Sequence, residues 1–174
     1  TNNRFSMSIN YYNEAQKQNG INFRKQANGV GFNAYLLYKL PAAFFSGVRL
    51  VSLDEQECKV KVPYKWFSQN PFKSTYFACL AMAAEMSTGL PSLMAIDKMD
   101  PKVSMLVVDI QGSFTKKATD ITTFTCKDTP AIYDIVKKAI ETKEGQIIET
   151  SSIGLNKAGE EVASFKVTWS FKSK

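Results

Sequence analysis

No histidine occurs among the 174 residues, and this absence excludes more than most of the residues present imply. Ser-His-Asp and Cys-His nucleophilic systems, His-ligated zinc and a histidine general base all fall away. Catalysis must then run on carboxylates, hydroxyls, lysines or backbone amides. Cysteine is scarce as well: Cys58, Cys79 and Cys126 are odd in number, widely spaced and without a CxxC pair, so neither a disulfide framework nor a zinc knuckle follows. Free, buried thiols are the expectation. With no base to make a thiolate, Cys79 reads as inert packing. No metal or cofactor is expected.

Long apolar runs are also missing. None approaches the roughly 18 to 20 residues that cross a bilayer, and the polar opening TNNRFSMSINYYNEAQKQNG lacks the apolar core of a signal peptide. A cytoplasmic protein without a membrane span is the expectation. There is no internal repeat or low-complexity tract. A hydrophobic content of 44% in 174 residues fits one domain that buries roughly two-thirds of its unfolded surface.

The net charge is +6 with a sequence pI of about 9.2, which favours anionic partners through long-range attraction. The lysines are scattered, and only Lys116-Lys117 and Lys137-Lys138 are adjacent. Without a basic cluster interleaved with stacking aromatics, a phosphate-bearing small molecule is a better expectation than nucleic acid; a solvated surface is the plainer alternative.

Residues 1–31 are rich in Asn and Gln and read as a polar arm or short surface helix ahead of one domain over 32–174. FNAYLLYKL (32–40) is a docking helix ending at Pro41, followed by a turn, PAAFFSG. VRLVSL (48–53) and CKVKVPY (58–64) flank the charged turn DEQE and predict a hairpin with one wet face. Four longer runs, 103–115, 119–127, 145–155 and 161–171, are rich in β-branched and aromatic residues and predict strands. Between the second and third of them lies PAIYDIVKKAIETK (130–143), where Ile132, Ile135, Val136, Ala139 and Ile140 recur at helical spacing and predict core packing. NKAG (156–159) is the turn of the last hairpin.

The segment NPFKSTYFACLAMAAEMSTG (70–89) holds nine apolar residues in a row, Tyr76 to Ala84, and then Glu85. Asn70 before Pro71, or else Ser74, is a candidate cap, and Gly89 and Pro91 are candidate stops, which predicts a helix over about 74 to 88. A helix apolar on all sides must be surrounded by protein. The fold class predicted is therefore α+β: an antiparallel sheet of five or six strands wrapped around one central helix, with extra helices at the N-terminus.

Long strands around one swallowed helix resemble the hotdog fold of the thioesterase superfamily, and within it the phenylacetate-degradation type and a branch known only as a domain of unknown function. The likeness covers about residues 32–172. Asn70 and Glu85, 15 positions apart, are similar to a loop Asn and a helix Asp or Glu that flank the thioester in that family. FTKKATD (114–120) resembles the stretch that links two of the family's strands, and NKAGEEVAS (156–164) resembles its final hairpin. One departure bears on function: active relatives often carry His-Gly-Gly at the helix start, where this chain has Tyr76-Phe77-Ala78.

The resemblance implies an acyl thioester, acyl-CoA foremost, as ligand and a homodimer, with pairing into a tetramer open. In that picture the Asn70 amide and the Phe77 N–H polarise the thioester oxygen, and Glu85 is the base or the attacking carboxylate. Tyr76, Lys116 and Lys117 contact substrate, the lysines at the phosphates. Distance supports a shared site, because eight residues of helix separate Phe77 from Glu85 by about 12 Å, too far to act on one carbonyl. Two antiparallel helices about a twofold axis would bring them together. The alternatives are a salt-bridged or hydroxyl-capped Glu85 and an Asn70 that merely caps the helix. They go with a non-catalytic acyl- or lipid-binding protein. A dehydratase-type relative is disfavoured for want of histidine. Ser104 and Ser113 are unranked candidates for the family's partner-supplied hydroxyl.

Overall fold

The computed structural model describes residues 8 to 174, so the first seven residues of the expected N-terminal arm lie outside the described residues. Past them, Asn13 caps helix α1 (Glu14–Ala27) by accepting the Gln16 N–H. Gln16 is fully buried, and its amide donates to the Ala95 carbonyl at 2.8 Å, which docks α1 on the central helix. Helix α2 (Phe32–Lys39) follows as predicted.

PAAFFSG is not a plain turn. Residues Pro41–Ser46 form a short helix, α3, with Pro41 in its first turn and Gly47 in the left-handed region at φ 84° behind it. The Gly47 and Val48 N–H groups donate back to the Phe44 and Ala43 carbonyls. Proline at the start and glycine just past the end are the two signals that make so short a helix possible.

Strands β1 (Arg49–Leu53) and β2 (Cys58–Val62) make the hairpin, followed by a short 3-10 turn at Trp66–Ser68. After helix α4 (Phe77–Ile96) come β3 (Val103–Phe114), β4 (Thr122–Cys126), helix α5 (Thr129–Thr142), β5 (Gln146–Leu155) and β6 (Glu161–Ser173). The strands form one antiparallel sheet in the order β1-β2-β4-β5-β6-β3, leaving β1 and β3 as edges. Helix α4 touches all six strands. The core gathers Val60, Val62, Phe124, Val162, Val167 and Phe171 from the sheet against Ala83, Ala84 and Met94 from α4. Ile132, Tyr133, Val136, Ala139 and Ile140 bury one face of α5, with Ile135 at its margin.

Helix α4 begins later and runs further than its sequence suggests, passing through Gly89 and Pro91 to Ile96. Proline in a helix costs about 3 kcal/mol, but here it removes only one backbone donor in a segment, Met86 to Ser92, that is buried throughout. Tertiary packing outweighs the local penalty. Side-chain hydroxyls support the backbone: Ser87, Thr88 and Ser92 donate to the Ala84, Glu85 and Thr88 carbonyls. With 20 residues and a mean hydropathy of 1.3, α4 has the length and composition of a membrane span. Its burial within the sheet, 72% over the most apolar window, makes it a core helix instead.

Candidate active site

The site is built on the loop that enters α4. Asn70 does not cap the helix; it closes its own loop, with Oδ1 accepting the Phe72 N–H at 2.9 Å and the Ser74 N–H at 3.2 Å. An Asn side chain does this readily because its length matches a backbone turn, and Pro71 fixes the residue that follows. The Asn70 amide donates to Ser74 Oγ at 3.1 Å and to the Thr75 carbonyl at 3.4 Å. Thr75 ties the loop to the stretch after β3, since its N–H and its hydroxyl both donate to the Ala118 carbonyl.

A cleft of about 760 Å³ lies between this loop and the residues that follow β3. Asn70, Tyr76, Phe77, Lys116 and Lys117 all line it, together with Thr75 and Phe114. Lys116 is held by Glu160 at 2.6 Å, an exposed pair, and Lys117 donates to the Phe72 carbonyl at 3.3 Å. The N-cap position of α4 is Tyr76, which makes no side-chain cap. Cys79 and Leu80 direct their N–H groups to the Tyr76 carbonyl, whereas the Phe77 and Ala78 N–H groups find no acceptor among the described residues. Unpaired donors at a helix start carry partial positive charge, so this end of α4 suits a carbonyl or anionic oxygen. The aromatic rings narrow the space: Tyr76 and Phe77 meet at 4.9 Å, and Phe77 reaches Phe114 at 6.5 Å.

Glu85 is not among the residues of this cleft. It ends a half-buried stripe of α4 at Ala78, Ala81, Met82 and Glu85, the helical spacing of one face. Burial raises its pKa, and nothing offsets the rise. Among the described residues no cation pairs with the carboxylate and no hydroxyl caps it; the Thr88 hydroxyl goes to the Glu85 backbone carbonyl at 2.9 Å. Gly89, one turn on, leaves it room. A methyl there would stand 3.3 Å from Glu85 Oε1 and 3.3 Å from the Trp169 ring. Trp169 is fixed in turn by donating its indole N–H to Thr88 Oγ1 at 3.0 Å.

Thr75 and Phe114 were not among the residues predicted for the site. Thr75 carries no signal in isolation, because its role depends on a carbonyl 43 residues away. Phe114 sits in the stretch FTKKATD, so that likeness could have included it. Ser104 donates to the Lys172 carbonyl at the far end of β3, and Ser113 is exposed near Phe114; neither lines the cleft. All three cysteines are free and buried.

A sheet of this order wrapped around one helix defines the class: the chain has the hotdog fold of thioesterase-like proteins. A probable thioesterase of unknown function from Pseudomonas aeruginosa is similar over 88% of this chain and 95% of its own, with a TM-score of 0.71 at 18% identity. A thioesterase from Haemophilus influenzae matches over 82% and 88% of the two chains, with a TM-score of 0.58 at 11% identity. A variant of a thioesterase enzyme from Staphylococcus aureus matches over 79% and 98%, with a TM-score of 0.58 at 15% identity. Among curated proteins none matches. The chain belongs to a domain-of-unknown-function family, DUF4442, whose model matches residues 32–171.

Proposed function

We propose that two copies of the chain join into a homodimer whose seam hydrolyses an acyl thioester, with acyl-CoA as the substrate. The observation that carries the proposal is the separation of unpaired groups along α4. Free N–H donors stand at the start of α4, at Phe77, which lines the cleft, and at Ala78 behind it, and a carboxylate with no partner among the described residues waits eight residues beyond Phe77, on a stripe of the helix left partly uncovered. Trp169 of β6 lies against α4 at Gly89, one turn from Glu85, and outside β6 runs the edge strand β3, with Leu106 66% and Ile110 45% exposed on its two faces. An unpaired apolar edge is a template for a second strand.

With two α4 helices antiparallel across this seam, Phe77 of one copy faces Glu85 of the partner subunit. The carboxylate takes a proton from water, and the water oxygen attacks the thioester carbonyl carbon. The Phe77 N–H holds the oxygen as it gains charge. The carbon–sulfur bond then breaks, and the leaving thiolate recovers the proton from Glu85. The Asn70 amide joins the Phe77 N–H by exchanging its long 3.4 Å bond for the substrate oxygen. Lys116 and Lys117 meet the phosphates of the carrier.

A second reading, a non-catalytic acyl- or lipid-binding protein, is favoured by the bulk of Tyr76 and Phe77 at the helix start and by the Asn70 amide being already engaged. Hydrolysis of a panel of acyl-CoAs by the wild-type chain and by Glu85→Ala separates the two. Turnover that disappears in a folded, dimeric Glu85→Ala supports hydrolysis. Tight binding without turnover, unchanged by the substitution, supports the binder.

A further inference from the structure

Acidic residues are absent from two long stretches of the chain, between Glu14 and Asp54 and between Glu57 and Glu85. The fold brings the aromatic parts of these stretches together. Phe45, at the end of α3, lies 6.0 Å from Phe67, and Phe67 meets Trp66 at 4.8 Å. All three are exposed, Trp66 by 75%, Phe67 by 57% and Phe45 by 50%. Trp66 also lines a groove of about 560 Å³ with Lys73, and that groove shares Gln69, Asn70 and Pro71 with the candidate active cleft. Phe72, on the cleft side, is 72% exposed.

Charge follows the same surface. Lys65 precedes Trp66 and lies against Gly47, and neither Lys65 nor Lys73 has an ion-pair partner among the described residues. The acids of the β1–β2 turn sit at the other end of the hairpin, beyond the Leu53–Cys58 pair, while the end near α3 pairs Arg49 with Lys61.

We propose that this face docks on a bilayer surface rich in anionic lipid. Trp66, Phe67, Phe45 and Phe72 enter the boundary between headgroups and acyl chains, where aromatic rings are favoured. Lys65 and Lys73 stay at the level of the headgroup phosphates. The charge decides the partner. A second copy of this chain would present the same unpaired lysines, Lys65 and Lys73, and be repelled. Single-stranded nucleic acid needs open ring faces for its bases, and Trp66 and Phe67 meet edge to face at 79°. Docking by this face sets the cleft mouth at the membrane surface, where long-chain acyl thioesters partition.

Binding is read without turnover, so it stands or falls apart from thioester hydrolysis. The probe is vesicles of equal parts phosphatidylcholine and phosphatidylglycerol, with pure phosphatidylcholine for comparison. The chain has two tryptophans, and Trp169 is only 3% exposed, so a change in emission reports Trp66. The expected results are sedimentation with the anionic vesicles only, a blue shift, quenching by brominated lipid, and release by salt. Lys65→Gln with Lys73→Gln weakens binding about 30-fold; Trp66→Ser with Phe67→Ser abolishes it while the buried Trp169 emission shows an intact fold. Three results overturn the proposal: no binding to anionic vesicles by the folded protein, binding without any change at Trp66, or Trp66 buried by self-association or by an oligonucleotide in preference to the vesicles.

Discussion

Glu85 and Gly89 stand one helical turn apart, and the missing side chain of the glycine is the space the carboxylate uses, 3.3 Å separating Oε1 from the point a methyl would occupy. The same point lies 3.3 Å from Trp169, whose ring is tethered to Thr88 and cannot easily yield. In Gly89→Ala the flexible carboxylate is therefore the group that moves. Helix propensity gains about 1 kcal/mol from this change, which offsets the crowding, so the melting temperature should hold while the carboxylate is displaced. If Glu85 is the base, acyl-CoA turnover falls about a hundredfold. Turnover at the wild-type rate in a folded Gly89→Ala would remove Glu85 from the mechanism.

Burial alone raises the Glu85 pKa, and this has a definite sign in stability. Between the ordinary carboxylate value and the raised one, the folded chain holds a proton that the unfolded chain has released. Stability conferred by the neutral form is thus complete below the unfolded value and is lost as pH rises through the folded one. Glu85→Gln, neutral at every pH, should be more stable than the wild type at neutral pH and indistinguishable from it in acid. Denaturant melts across that range check the crossing. Catalysis by the carboxylate has the opposite demand, since only the ionised form accepts a proton, so kcat should climb at a pH above the usual carboxylate range.

The strands and α5 were legible because period-two and period-3.6 patterns survive in local sequence. The extent of α4 was not, because Gly89 and Pro91 are stop signals locally, and only burial of Met86 to Ser92 by distant strands overrules them. Helix α3 was missed for the opposite reason: Pro41 and Gly47 announced a helix so short that it read as a turn. In the cleft, Asn70 and Lys116 were linked by likeness to a family; what joins them physically is the bond from Thr75 to the Ala118 carbonyl, across 43 residues. Lys65 and Lys73 looked scattered along the chain, and only the groove beside Trp66 gathers the second of them into an aromatic face.

Gly154 and Phe124 give a prediction about packing that is independent of function. A Cβ on Gly154 would come within 2.5 Å of Phe124 Cε1, and Phe124 is fully buried with its ring 5.7 Å from that of Phe165. A rigid ring between strands has nowhere to go. Gly154→Ala should cost about 1 to 3 kcal/mol. Shrinking the ring in Phe124→Leu opens a cavity and also costs stability on its own. Together the two changes should cost less than their sum, because each relieves the fault of the other. Chemical denaturation of the two single variants and the double variant measures this coupling.

The dimer seam is tested at the outer edge of β3. Leu106 and Ile110 are exposed there on a strand that, among the described residues, pairs only with β6, and opposite Ser170 and Val167 they project from its two faces, so lysines at both positions put positive charge on each face of the edge without disturbing a side chain in the core. Unpaired edges are kept monomeric in this way. The double variant Leu106→Lys, Ile110→Lys should sediment as a monomer with an unchanged melting profile for the single chain. It should lose turnover entirely, because the Phe77 donors and the Glu85 carboxylate of one chain remain about 12 Å apart along α4. Mixing it with Glu85→Ala protein restores nothing if the seam cannot form. A monomeric variant that still hydrolyses acyl-CoA would show that one chain suffices and would end the two-chain mechanism.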